Sequence, residues 1–210
     1  MNITLNKAGK RFNRDWIFRN FNFTFNNTKK YAITGPNGSG KSTLLQVIAG
    51  SMNLTEGDIQ FLINNSSIPV EDIYKHVSIA APYLEVIEEM TATEFLQFHS
   101  VFKKLMLPIH EILLLIGLEK TKEKQLRNFS SGMKQRIKLA QAIFSETEIL
   151  LLDEPCTNLD ASGYELYHRL INEFCKSKLV IVSSNDVNEY SFCDQQINIM
   201  DHKFNAVTAR

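Results

Sequence analysis

The sequence predicts an α/β fold whose parallel strands surround one glycine-rich loop, and three observations predict it. The apolar run Tyr31-Ala32-Ile33 leads into Thr34-Gly35-Pro36-Asn37-Gly38-Ser39-Gly40-Lys41-Ser42-Thr43, and Leu44 to Ala49 follow as a helix. Ile149 to Leu152 is a continuous apolar run closing on Asp153 and Glu154. Such a run fits a parallel strand buried on both faces, with its carboxylates emerging at the carboxyl end, where open α/β sheets place ligands. Between the two lies a stretch of helical texture, so the glycine loop and the acidic strand end are separated by an insert.

The elements follow in order. Ile3-Thr4-Leu5 and Phe21-Asn22-Phe23-Thr24-Phe25 alternate apolar with polar, the period of a half-buried strand. Asn26-Asn27-Thr28 reads as a turn before the strand that feeds the loop. Gly57 to Leu62 suggests another strand, and Val77 to Ala81 a buried one stopped by Pro82. From about residue 84 to 128 the texture turns helical. Thr91-Ala92-Thr93-Glu94 has the capping-box pattern, and Phe95, Phe98, Phe102 and Leu105 recur at helical spacing. That aromatic stripe reads as packing rather than as a cofactor box. Pro108 breaks the segment, and His110 to Ile116 starts a second helix ending near Gly117. Ser130 is placed to cap a helix carrying Met133, Ile137, Ala140 and Phe144 on one face. Asp160 caps another that runs to about Cys175, and Lys178 to Ser184 is a further buried strand ending at Asn185-Asp186. A single domain over 1–210 is expected, with core and β parts at about 1–83 and 145–210 and a helical part at about 84–144.

Composition narrows the function classes. The chain has 210 residues, 44% of them hydrophobic and 22% charged, as in an ordinary globular protein. Lys+Arg and Asp+Glu both number 23, so bulk charge gives no reason to expect a nucleic-acid or anionic-membrane surface. No apolar run approaches the roughly 18 residues of a membrane span. The N-terminus lacks a charged head followed by an apolar stretch, so no secretory signal is expected. Cys156, Cys175 and Cys193 fit no metal spacing, and reduced thiols in a cytosolic protein are the simplest reading. Cys156 reads as a small buried filler.

The loop has the chemistry of a phosphate cradle. Its glycines let several N–H groups turn toward one anion, and the helix beginning near Lys41 adds the positive end of its dipole. Lys41 is placed to reach the β- and γ-phosphates and the Ser42 hydroxyl to ligate Mg²⁺. A Gly/Ser turn could fit the pattern by chance, but not so easily between a strand and a helix. Asp153 can hold the Mg²⁺ shell and Glu154 can polarise an attacking water. The alternative for this pair is a solvated strand end. Ser130-Ser131-Gly132 opens a helix with exposed N–H groups and a hydroxyl, a second anion site in principle. Phe12 or Trp16 could stack on a base, or they could belong to the core with Phe18.

With these residues together, the chain resembles the ATP-binding cassette (ABC) ATPase family over nearly its whole length. Gly35, Pro36, Asn37, Gly38, Ser39, Gly40, Lys41, Ser42 and Thr43 are similar to the Walker A loop. Ser130-Ser131-Gly132 resembles the signature motif, Leu150 to Glu154 Walker B with its catalytic glutamate, and Asn158-Leu159-Asp160 the D-loop. The resemblance places Phe12 where the base-stacking aromatic lies. It implies a P-loop NTPase fold, that is, a RecA-like core with an antiparallel β subdomain and a helical signature subdomain. It also implies ATP and Mg²⁺ as cofactors and a head-to-tail dimer, with ATP at Lys41 of one subunit closed over by Ser130 and Gly132 of the other. The second subunit would be another copy or a related ABC ATPase.

The chain departs from the family pattern at three places. Ser131 stands where glycine is usual. The Q-loop glutamine expected after the strand at 77–81 is absent, with Pro82 at or beside its place. Asn185 replaces the switch histidine; it can donate a hydrogen bond to a γ-phosphate but does not titrate. ATP binding survives these losses, while turnover then rests on Glu154. The reading that follows is an ATP-hydrolysing subunit powering an integral membrane permease, cytoplasmic and peripheral on the inner face of the membrane, with no nucleic acid as partner. The alternatives are a non-transport ABC ATPase and a slow-hydrolysing, ATP-gated regulatory module. A P-loop small-molecule kinase has no use for the signature helix.

Overall fold

The computed structural model describes residues 1–203, and residues 204–210 lie outside it. Strands β1 (Asn2–Phe12) and β2 (Asp15–Asn26) form a hairpin closed at Phe12↔Asp15. Asn13 takes the left-handed conformation that the tight turn needs, one that asparagine tolerates. The segment Tyr31–Thr34 is β3, and the glycine loop then delivers helix α1 (Lys41–Ile48). Strands β4 (Glu56–Ile63) and β5 (Ser66–Ile68) complete an antiparallel sheet of order β2-β1-β4-β5.

The remaining strands are β6 (Val77–Ala80), β7 (Ile149–Asp153), β8 (Leu179–Ser183) and β9 (Gln195–Asn198). With β3 they make a parallel five-stranded sheet of order β6-β7-β8-β3-β9. The helices after α1 are α2 (Ala92–Phe102), α3 (Ile109–Leu115), α4 (Ser131–Ile143), α5 (Ala161–Phe174) and α6 (Val187–Tyr190).

The period-2 geometry of a strand divides the core between the two faces of this sheet. Ile149, Leu151, Leu179 and Ile181 pack toward β1, β2, β4 and α1, with Ile3, Phe21, Phe25 and Leu44 among their neighbours. Leu150, Leu152, Val180 and Val182 pack toward the other helices, with Leu96, Ile137, Ala140, Tyr167 and Leu170. Both strands are buried along their whole length, which is why they read as unbroken apolar runs.

The helical stretch needs two corrections. Residues 84–90 form no helix, and beyond α3 the segment to Ser130 holds only single 3₁₀ turns at Glu119–Thr121 and Leu126–Asn128. The capping box at Thr91 is present, its hydroxyl accepting from Glu94 N and the Glu94 carboxylate from Thr91 N. The aromatic stripe, however, packs only in part, through Phe95 and Leu105. Phe98 is 45% and Phe102 70% exposed, and Leu105 lies past the helix in a bridge to Ser145. The inward face of α2 is Ala92, Phe95, Leu96 and His99, itself a helical i, i+3, i+4, i+7 set. His99 hydrogen-bonds Ser145 Oγ at 2.8 Å, so one polar member of the inward stripe makes it look less apolar than the outward one.

Candidate nucleotide site

The loop between β3 and α1 gets its shape from three glycines with positive φ: Gly35 at 143°, Gly38 at 74° and Gly40 at 109°. Gly40 has a steric reason as well, since a Cβ there would stand 2.2 Å from Ile17 Cγ2. It begins α1 without any side-chain cap, and no acidic residue occupies the first turn. The helix therefore presents uncompensated N–H groups and an unopposed dipole to the loop. Lys41 is 5% exposed, and its ammonium is held by the Gly35 carbonyl at 2.8 Å and the Pro36 carbonyl at 3.4 Å.

A cavity of about 210 Å³ opens here, lined by Asn37, Gly38, Gly40, Lys41, Ser42 and Thr43 of the loop, by Glu154, and by Ile17 from β2. The strand end thus carries its second acid to the loop as the sequence suggests. Glu154 sits at φ 43°, a strained value for a residue with a side chain, and its N–H donates to the Ser183 carbonyl at 2.9 Å. Asn185 follows β8 and reaches the same loop, its side-chain amide donating to Asn37 Oδ1 at 2.8 Å.

Asp153 is buried beside Ser183, its register partner across β7 and β8. Its Oδ1, together with Ser183 Oγ and Ser39 Oγ, is a buried polar atom without a hydrogen-bond partner among the described residues. Orphaned oxygens of this kind are rare in folded proteins, and they gather here at the carboxyl end of the sheet. A hard divalent cation that keeps several waters and takes phosphate oxygens fits a hydroxyl and one carboxylate, so Ser42 and Asp153 suit Mg²⁺.

The second anion site lies elsewhere on the chain. Ser130 Oγ caps α4 by accepting from Met133 N at 3.2 Å, which leaves its O–H free to donate outward. Gly132 has a local reason to be glycine, because a Cβ there would come within 3.1 Å of the Asn158 carbonyl. Asp160 caps α5 through Gly163 N at 2.8 Å and also accepts from Ser162 Oγ; these bonds hold its carboxyl below the usual range. Arg136 reaches Asp160 and Ser162, tying the start of α4 to that of α5. Ser130, Ser131, Gly132 and Asp160 line a cavity of about 480 Å³ that shares no lining residue with the cavity at Lys41. Within one chain, then, the two cavities are separate.

The aromatic candidates part company. Phe18 is core, and the Trp16 ring has the guanidinium groups of Arg11 and Arg19 over it at 5.5 and 4.5 Å. Phe12 is at the exposed tip of the hairpin with the Lys10 ammonium 5.3 Å from its ring centre, and it does not line the loop cavity. Pro82 is exposed and offers its carbonyl to Lys138 Nζ at 3.4 Å. Cys156 is buried, and burial together with the neighbouring acids Glu189 and Asp186 pushes its thiol far up, so it behaves as a filler. Two residues of the site carry no motif: Ile17, an apolar wall of the cavity, and Glu189, a buried acid behind Cys156.

Residues 18–157 match the family model described as ABC transporter. The chain is 32% identical to the uncharacterized ABC transporter ATP-binding protein YybJ of Bacillus subtilis (strain 168), over 88% of this chain and 86% of that protein. It is 30% identical to another from the same organism, YxlF, over 93% of this chain, but it spans only 66% of that relative's length. Among solved structures, an ABC transporter ATP-binding protein from Pyrococcus furiosus superposes with a TM-score of 0.81 at 21% identity, over 97% of this chain and 100% of that one. A dimeric bacterial ABC transporter cassette gives 0.78 at 23% identity, over 94% of each chain.

Proposed function

The chain belongs to the ABC transporter ATP-binding family, and from that premise we propose that it binds ATP with Mg²⁺, closes on a second cassette and hydrolyses the nucleotide to drive a membrane-spanning partner. The observation that carries the reading is the shared cavity of Glu154 and the phosphate loop, with Asn185 hydrogen-bonded to the loop's Asn37. Lys41 and the first turn of α1 bind the β- and γ-phosphates. Ser42 and Asp153 hold the Mg²⁺ ion, which when bound neutralises phosphate charge and fixes the phosphate oxygens. Glu154 orients and polarises the attacking water, and Asn185 donates to the γ-phosphate. Phe12 supplies the stacking face for the base.

Dimerisation is supported by the separation of the two cavities. The hydroxyl of Ser130 and the N–H groups opening α4 offer donors to an anion, and this chain's own phosphate loop lines a different cavity. A cassette of the same fold has been described as a dimer in a post-hydrolysis state bound to ADP and Pi, which supports the arrangement. The membrane partner is supported by an apolar surface. Tyr74, Tyr83 and Leu84 flank a cavity of about 440 Å³ between α1 and β6, and Phe98, Val101 and Phe102 are exposed on α2. Among the described residues no helix is long and apolar enough to cross a membrane, so the spanning part belongs to another chain or segment in this reading.

Phosphate release with ATP and Mg²⁺ tests the hydrolytic step. The parent protein turns over, and Glu154→Gln falls by at least roughly a hundredfold while still binding ATP. Equal rates would remove Glu154 from the reaction. Pull-down from solubilised membranes tests the partner, and capture of soluble proteins alone would leave an ATPase without a transport role.

A further inference from the structure

We propose that Glu189 is a positioning residue that holds the turn carrying Glu154 and the segment carrying Asn185 in one fixed relation. The assignment rests on the hydrolytic reading above. Glu189 lies on α6 and is only 4% exposed, a burial that acids almost never adopt without partners. Its Oε1 accepts the Cys156 N–H at 2.7 Å, while its own backbone carbonyl accepts the Tyr167 hydroxyl of α5 at 2.9 Å. The residue is therefore anchored at its backbone and reaches with its side chain into the turn that follows β7.

That turn needs holding. Glu154 sits two residues before Cys156 in a conformation that persists only where the surroundings over-determine it. Its own N–H is held by the Ser183 carbonyl, its carbonyl by Thr157 Oγ1 and the Pro155 carbonyl by Gln135 Nε2, and Glu189 is the side chain that accepts the Cys156 N–H. The same acid meets the other segment. Its N–H donates to the Asp186 carbonyl at 2.9 Å, and the Asp186 N–H in turn donates to Ser184 Oγ at 2.9 Å, so both chain neighbours of Asn185 belong to one network. Tyr164 of α5 closes it by donating to Asp186 Oδ2 at 2.8 Å. A leucine here would fill the space more cheaply than a desolvated carboxylate, but it would leave the Cys156 N–H without a partner.

Two conservative variants separate positioning from mere stability. Glu189→Gln keeps an oxygen within reach of the Cys156 N–H, and Glu189→Asp withdraws it by one methylene. We expect Glu189→Asp to lower kcat for phosphate release roughly tenfold with the ATP KM within about twofold, and Glu189→Gln to stay within about threefold of the parent in both. Amide exchange on the parent supplies a check that needs no variant: the Cys156 N–H belongs with the slow sheet amides. A Glu189→Asp protein as fast as the parent overturns the assignment. So does a loss of kcat matched by an equal loss of ATP binding, or fast exchange at Cys156 in the parent. A parent that binds ATP but releases no phosphate overturns the hydrolytic reading instead, and the assignment goes with it.

Discussion

Asn185 donates to Asn37 of the phosphate loop, and in the proposed function the same amide donates to the γ-phosphate. An amide makes that contact at any pH, whereas an imidazole changes its donors as it titrates. Asn185→His is therefore expected to alter steady-state turnover while leaving ATP affinity near the parent value, as read by nucleotide titration. Identical phosphate release from the two proteins would exclude Asn185 from the mechanism. A second residue-scale consequence concerns acid. Burial, and then the Lys103 charge, push the His99 imidazole down to about 4 from the ordinary 6.5. A base depressed in this way binds fewer protons folded than unfolded, so stability falls as pH drops from about 6.5 toward 4. His99→Gln should reduce the loss of melting temperature between pH 7 and pH 5, and an undiminished loss would place the acid sensitivity elsewhere.

At the scale of elements, α2 carries two apolar stripes and buries the one with a histidine in it. Phe95→Ala is expected to cost about 3 kcal/mol, whereas Phe98→Ser with Phe102→Ser should move stability by about 0.5 kcal/mol or less, both measured by denaturant unfolding. Comparable losses would mean that the exposed pair packs after all. This helix shows why sequence periodicity stops short: it finds a stripe, but not which of two stripes meets the core. Strands β7 and β8 were legible because burial on both faces leaves nothing polar in them. Strand β9, Gln195-Gln196-Ile197-Asn198, was not, since it is an edge strand that sends one apolar residue inward. The site divides in the same way. Gly40, Ser130 and Asp160 announce themselves because loops and caps demand particular residue types. Ile17 and Glu189 serve by position alone, and no local pattern marks a lone isoleucine or a lone acid.

For the whole molecule, the two cavities have no lining residue in common, and the proposed closure would join them only across two copies. Glu154→Gln, with ATP and Mg²⁺, should elute from size-exclusion chromatography at twice the monomer mass and return to monomer when nucleotide is withdrawn. A monomer under both conditions would count heavily against closure over the Ser130 end of a second copy.

Strand β3, which delivers the phosphate loop, pairs with β8 on one side and β9 on the other, and neither exists until residues 179–198 have been made. A ribosome that has released the chain only as far as α5 has already exposed the glycine loop, yet the strand beneath it lacks both of its sheet partners. Nucleotide capture during synthesis is therefore expected to wait for the final strands, so a chain stopped before β8 should carry the motif but retain no ATP in a filter-binding assay.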